Sequence, residues 1–271
     1  MKQIVMLCVV FLTILNCRNS ADQENFTDED LYIIDYSPNY MNYGNIDPIL
    51  GDNIKIEYQN ARISKRIGDV IYNQNMPYGN TILNIYDEVT YSLNEININK
   101  KSSPGILIPS YQKKILLSDN KISQIIIKTN KDNIIIDDTL KFNYNGSNIS
   151  NLITYNKGIK SKSWFYFNSS GNLDSIVTKY GNINFISLTN YSYNFNETTK
   201  KRKVEVFLNY DNYANPLKNL IIFDETFTRA LSKNNYKSYR ENNYNESNVQ
   251  ISNAGKNWTL IYENNKVNFS R

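Results

Sequence analysis

The side chains able to do chemistry in this chain are carboxylates, aromatics and one cysteine. The sequence has no histidine and two cysteines. That removes Ser-His-Asp and Cys-His nucleophilic systems and most zinc sites. Neither a Gly-rich phosphate loop nor a G-x-S-x-G elbow occurs. What survives for a catalyst is acid–base work by two carboxylates, as in glycoside hydrolysis. Adjacent acids stand at Asp87-Glu88, Asp137-Asp138 and Asp224-Glu225. Successive strand side chains point to opposite faces, so a sequence pair is not a catalytic pair. The expectation is turn and strand-end acids on a wet surface. Asp211-Asn212 with Asn215 could supply oxygen ligands for calcium, but the same side chains make Asx turns. We expect a turn there, with no metal, no cofactor and no catalysis.

Aromatics are the second resource, with 22 Tyr, 11 Phe and 2 Trp. Trp164, Phe165, Tyr166 and Phe167 are consecutive, so on a strand they must populate both faces. One pair enters the core. The other either packs across strands or forms an exposed strip that docks a ligand. Trp164 and Tyr166 are the candidate outward pair. Lys160, Lys162 and Lys179 nearby would bias such a strip toward an acidic glycan or protein partner. No nucleic-acid partner is expected.

Cys17 is the third resource. Lys2 followed by the apolar run Ile4 to Leu15 is too short to span a bilayer, which needs roughly 20 residues, and has the length of a secretion signal. Ile14-Leu15-Asn16-Cys17 looks like a lipobox, with Asn16 departing from the usual small residue. Residues 1–16 then form a signal peptide, and Cys17 carries lipid as the first mature residue. Cys8 leaves with the signal, so no internal disulfide forms. Residues 17–51 form an acidic tether and irregular lead-in, rich in Asp and Glu up to Asp47. The net charge of +4 therefore conceals an acidic leader before a basic body.

The elements that must position these residues are strands. Ile54-Lys55-Ile56-Glu57-Tyr58, Leu140-Lys141-Phe142-Asn143-Tyr144 and Val204-Glu205-Val206 alternate with period two, as half-buried antiparallel strands do. Asn145-Gly146, Ser170-Gly171-Asn172 and Ser118-Asp119-Asn120 are hairpin turns. The unit strand, aromatic, polar turn, strand recurs weakly at Ile54, Thr139, Lys162, Lys203 and Trp258, with one turn placed at Asp211-Asn212. Residues 52–271 thus read as one all-β domain, a long curved antiparallel meander of hairpin repeats. Residues 216–231 hold Leu217, Leu220, Phe227 and Leu231 near helical spacing and give one short helix or apolar loop. Lys200-Lys201-Arg202-Lys203 is placed at a hairpin tip. The strands read as short and irregular, which speaks against a membrane barrel of continuous strands about 9–11 residues long.

At these hairpins the chain resembles a group of Bacteroidetes envelope lipoproteins of unknown function with a porin-like fold, whose units are similar to tyrosine-aspartate repeats. The resemblance rests on Tyr58 to Gly68, Phe142 to Ile149, Phe165 to Ile176, and Tyr210-Asp211-Asn212-Tyr213-Ala214-Asn215-Pro216 with Leu231-Ser232-Lys233-Asn234-Asn235. It implies a curved meander and an envelope location, and no activity. In that phylum acids after the lipidated Cys resemble a signal for surface export, here Asp22, Glu24 and Asp28-Glu29-Asp30. Asp138-Thr139-Leu140 and Asp174-Ser175-Ile176 match a pattern of O-glycosylation there, on Thr139 and Ser175. The combined expectation is a non-catalytic protein lipid-anchored in the outer membrane, facing the cell surface, that presents a binding surface. The alternative is a carboxylate-dependent enzyme acting on polysaccharide.

Overall fold

The computed structural model describes residues 32–43, 49–72, 78–103, 105–131, 134–155, 160–187, 192–264 and 266–270. The signal, Cys17 and the acids up to Asp30 lie outside them. Fifteen strands form one sheet. In chain order they are β1 (Asp35–Tyr36), β2 (Ile49–Leu50), β3 (Ile54–Gln59), β4 (Arg62–Tyr72), β5 (Gly79–Tyr91), β6 (Glu95–Ser102), β7 (Ile106–Ser118), β8 (Lys121–Lys131), β9 (Ile134–Asn145), β10 (Asn148–Tyr155), β11 (Lys160–Phe167), β12 (Leu173–Ser187), β13 (Ser192–Ala214), β14 (Asn234–Tyr244) and β15 (Gln250–Asn257). From β3 onward each strand pairs antiparallel with the next, an uninterrupted meander. The exception is β2, which lies parallel to β5. A small separate hairpin, β16 (Ile261–Glu263) and β17 (Lys266–Asn268), ends the chain.

The turns follow from local chemistry. Asn60-Ala61 and Asp119-Asn120 have φ of 51°, 60°, 50° and 59°, the paired left-handed residues that match the twist of a hairpin. Alternation then sorts the faces. Ile54, Ile56, Ile96, Ile98, Ile115, Phe142 and Phe165 are buried, while Lys55, Glu57, Lys114, Asn143 and Tyr166 between them are exposed.

Residues 216–231 form a 3₁₀ turn (Pro216–Leu220) and one helix, α1 (Asp224–Ala230). This plug sits on the apolar face. Glu225 pairs with Arg66 of β4, and Asp224 pairs with Lys113 of β7. The Phe227 ring meets Phe142 of β9 and Phe165 of β11, and the Arg229 guanidinium donates to the Tyr236 carbonyl of β14. One seven-residue helix can touch strands so far apart in the order only if the sheet curves around it. The sheet does not close, because β1 and β15 are not paired. The lead-in and the C-terminal segment bridge its ends. Ser37 N–H donates to the Phe269 carbonyl (2.7 Å), and the Trp258 indole donates to the Asn39 carbonyl (3.1 Å). The lead-in is accordingly part of the core: Tyr36 is fully buried, and Tyr40 and Met41 nearly so.

Several expectations need correction. The strands are long, 13 residues in β5 and β7, 15 in β12 and 23 in β13, so length is no argument against a membrane barrel. Polarity is. The face turned away from the plug carries Lys55, Lys65, Lys101, Lys114, Lys141, Lys162 and Lys179, and the enclosed face is mainly apolar, with a paired cluster of charges around Arg66, Asp87 and Lys113. That is the reverse of a membrane barrel, where each lipid-facing Lys costs about 2–4 kcal/mol at the midplane. No hairpin turns at Asp211-Asn212; β13 runs through to Ala214 because Asp211 is held by the Asn235 backbone N–H (3.0 Å) and the Tyr262 hydroxyl (3.1 Å). Lys200–Lys203 is not a hairpin tip but lies inside β13 beside a bulge, where register shifts between the pairs Lys179–Arg202 and Gly181–Glu197. Glu246 fixes that bulge by accepting from the Thr199 hydroxyl (2.6 Å) and the Lys200 N–H (2.8 Å).

Gly181 sits where β12 resumes pairing past this bulge. A Cβ there would lie 2.2 Å from the Asn196 carbonyl oxygen. Gly181→Ala is therefore expected to lower stability by about 1–3 kcal/mol through backbone displacement, read from the shift in denaturant midpoint.

Candidate functional site

Strand register decides which aromatics face water. On β11, Ser161, Ser163 and Phe165 are buried, and Lys162, Trp164 and Tyr166 alternate with them. Phe165 points to the plug and meets Phe227. Trp164 is half-buried and Tyr166 is 50 % exposed. The two stand two residues apart on the wet face. Opposite them on β12 are Val177 and Ser175, and beyond those on β13 are Val204 and Val206.

A row of cations borders this strip. Lys141 of β9 faces Ile153 of β10, Ile153 faces Lys162, Lys162 faces Lys179, and Lys179 faces Arg202. Neighbouring strands lie about 4.8 Å apart, and like charges directly opposite one another are destabilising. Three consecutive cross-strand cations therefore carry a cost that their local partners must offset. Glu197 pairs with Lys179 at 2.8 Å. The Lys162 and Lys179 ammonium groups lie 5.1 and 5.9 Å from the centre of the Trp164 ring. Arg202 lies 4.2 Å from the centre of the Tyr244 ring and donates to Asn248. Phe195 packs against Trp164 at 6.2 Å between ring centres. The result is an ordered ridge of positive charge flanked by flat aromatic and aliphatic surface.

The remaining sequence candidates fall as follows. Ser175 is partly exposed directly opposite Tyr166, and Thr139 is partly exposed opposite Tyr155. Both hydroxyls sit within strands. Cys17 lies outside the described residues. Asp211 Oδ1 accepts from the Tyr213 N–H at 3.2 Å, and Asn215 Oδ1 accepts from the Leu217 N–H at 3.0 Å. These side chains serve the backbone as Asx-type turns do.

Asp87 and Glu225 depart from the wet-surface expectation, while Asp224 is exposed at the start of α1. Asp87 is not a surface acid; it is 6 % exposed in the middle of β5, on the enclosed face. Its Oδ2 accepts from Arg66 at 3.2 Å, and Glu225 accepts from the same guanidinium and from the Tyr36 hydroxyl. Asp224 and the Ile222 carbonyl accept from Lys113, itself 3 % exposed. Burial pushes the Asp87 carboxyl up despite Arg66. At Glu225 burial also pushes up, but Arg66 and Tyr36 outweigh it and hold the carboxyl below the usual range. A signal for this cluster existed. Asp87-x-Val89, Lys113-x-Ile115 and Ile98-x-Lys100 each put a charge on the parity of the apolar face, and a charge there must find a partner.

Neither a protein-family model nor a curated protein matches the chain. Among solved structures it is similar to a porin-like protein from Bacteroides vulgatus, with 12 % identity and a TM-score of 0.48, over 80 % of this chain and 84 % of that one.

Proposed function

We propose that this chain is a non-catalytic protein of the bacterial envelope, lipid-anchored through Cys17 and displayed at the cell surface, that binds an acidic glycan along the wet face of β9–β13. The observation that carries the binding reading is the cross-strand row Lys141, Lys162, Lys179 and Arg202. A protein gains nothing in stability by stacking cations, and a polyanion laid across the strands would neutralise the whole row. Trp164 and Tyr166 beside it add faces on which sugar rings stack. The lipobox and the acidic tether support the anchor and the location. The enzyme alternative is weaker, because Asp87 and Glu225 share Arg66 as a counter-ion, and Glu205 and Glu241, which also converge, share Lys203 and the Tyr239 hydroxyl.

The test uses the soluble Cys17→Ser chain with polygalacturonate and with neutral dextran. Saturable binding to polygalacturonate is expected, weakening steadily as salt rises, since charges at a surface are screened over about 8 Å at physiological ionic strength. Dextran should not bind. Equal affinity for both polymers, or binding indifferent to salt, would contradict the reading.

A further inference from the structure

The two ends of the sheet are unlike. At one end β1 is only two residues long, and the C-terminal segment closes over it, since the Ser37 N–H just past β1 donates to the Phe269 carbonyl at 2.7 Å. At the other end β15, eight residues long, pairs with β14 and, among the described residues, with no other strand. Val249 and Ile251 at its start are 57 and 63 % exposed. Ser252 and Asn253 are exposed too, and as neighbours on a strand they stand on opposite faces. Neither face of β15 is covered there.

Alternation fixes which backbone groups of β15 are free. The Trp258 N–H donates to the Lys237 carbonyl (2.8 Å), and the pairs Tyr239–Lys256, Glu241–Ala254 and Asn243–Ser252 continue that ladder. In an antiparallel pair every second residue turns its N–H and C=O toward the neighbouring strand. Ser252, Ala254 and Lys256 therefore bond β14, while Asn253, Gly255 and Asn257 turn theirs outward. Natural edge strands are blunted by charge, proline, shortness or a bulge. In β15 the one register shift lies between the Asn243 and Tyr244 pairings. Residues 252–257 beyond it pair regularly and hold one charge, Lys256, and no proline.

We propose that this edge is an interface for a second copy of the chain, joined β15 to β15 in antiparallel across a two-fold axis. A row of outward N–H and C=O groups selects an extended strand as its partner. The edge matches itself in charge. Registers centred on Asn253 or Ala254 bring the outward groups of the two copies together. In these Lys256 stands opposite the partner's Gln250 or Ser252 and never opposite the partner's Lys256, so no like charges face one another. The closed β1 end cannot receive β15 of another copy. Head-to-tail growth is thereby blocked, and the two-fold arrangement is the one that satisfies the edge. Pairing of strands this short buries less than about 1,200 Å² in all, which places the dimer in the weak, reversible class.

The experiment is sedimentation velocity of the Cys17→Ser chain over a wide range of concentration up to its solubility limit. A reversible monomer–dimer equilibrium is expected, with no larger species. Asn253→Pro removes an outward N–H and no bond to β14, a position an edge strand tolerates. It should keep the fold, judged by circular dichroism, and weaken the dimer by about tenfold or more. If Asn253→Pro fails to fold, amide exchange in the Cys17→Ser chain decides the matter. The Asn253, Gly255 and Asn257 amides should gain protection as concentration rises, while Ala254 and Lys256 are protected throughout. A monomer at every concentration, a dimer left intact by a folded Asn253→Pro, protection gained elsewhere instead, or growth past two copies would overturn the proposal. None of these measurements involves a polymer, so their outcome is independent of the glycan reading.

Discussion

Replacing Arg229 by alanine should destabilise the protein by about 3–5 kcal/mol, the range seen when a buried, hydrogen-bonded cation network is broken. Arg229 is 1 % exposed and is among the largest fully buried side chains. Its Nε donates to the Tyr40 carbonyl at 2.8 Å, and its Nη1 donates to the Tyr236 carbonyl at 3.0 Å. The guanidinium carbon lies 4.3 Å from the ring centres of both Tyr236 and Trp258, with Tyr43 and Phe269 at 6.0 and 5.8 Å. Among the described residues no carboxylate forms a salt bridge with it; aromatic faces hold the charge. A desolvated cation–π contact is worth about 2 kcal/mol, and each carbonyl left without a donor costs about 1–3 kcal/mol. The side chain also joins four pieces: α1, β14, the lead-in and the C-terminal segment. Lysine should not rescue it, because one ammonium cannot reproduce a flat fork that stacks and donates at once. Urea unfolding checks this, and an Arg229→Ala midpoint equivalent to less than about 1 kcal/mol of loss would show that the plug is not held there.

How much of this was legible in the sequence depends on how local each cause is. Period-two alternation and Asx-Gly turns are local, so the meander, its hairpins at Asp119-Asn120 and Asn145-Gly146, and the helical segment after Pro216 could be read directly. Strand length could not. Nothing in Asp211-Asn212 distinguishes a turn from a strand whose acid is claimed by Asn235 and Tyr262, residues 24 and 51 positions away. The basic run Lys200–Lys203 was misplaced for the same reason, since Glu246 fixes its bulge from 46 positions away. Parity placed Trp164 and Tyr166 together on one face, but which face required the register with β10 and β12. The cation row is a lateral feature: Lys141, Lys162, Lys179 and Arg202 have no shared spacing in sequence and meet only through pairing. The enclosed cluster of Arg66, Asp87 and Lys113 is legible from parity only when each charge is set beside its i±2 partners and not beside the acid adjacent to it in sequence. The plug explains why that cluster exists, since Asp224 and Glu225 enter from α1.

Reversing two charges in the row should weaken polyanion binding by about a hundredfold or more. At contact distance in water each unit interaction is worth about 1 kcal/mol, and Lys162→Glu with Lys179→Glu changes the row by four charges, enough for two or more factors of ten. Both side chains are on the wet face; the double variant loses the Lys179–Glu197 pair and the Trp164 contacts, exposed interactions worth about 1 kcal/mol or less each, while Arg202 gains an opposite charge across the ladder at position 179, so the fold should be retained. The matching control is Lys55→Glu with Lys114→Glu, exposed positions on β3 and β7 that alter net charge equally away from the row. The measurement that bears most directly on the central claim is therefore polygalacturonate affinity and its salt dependence in these two double variants. The row variant is predicted to lose both affinity and salt slope while the control keeps nearly all of each; equal losses in the two would mean that overall charge, and not the cross-strand row, attracts the polymer.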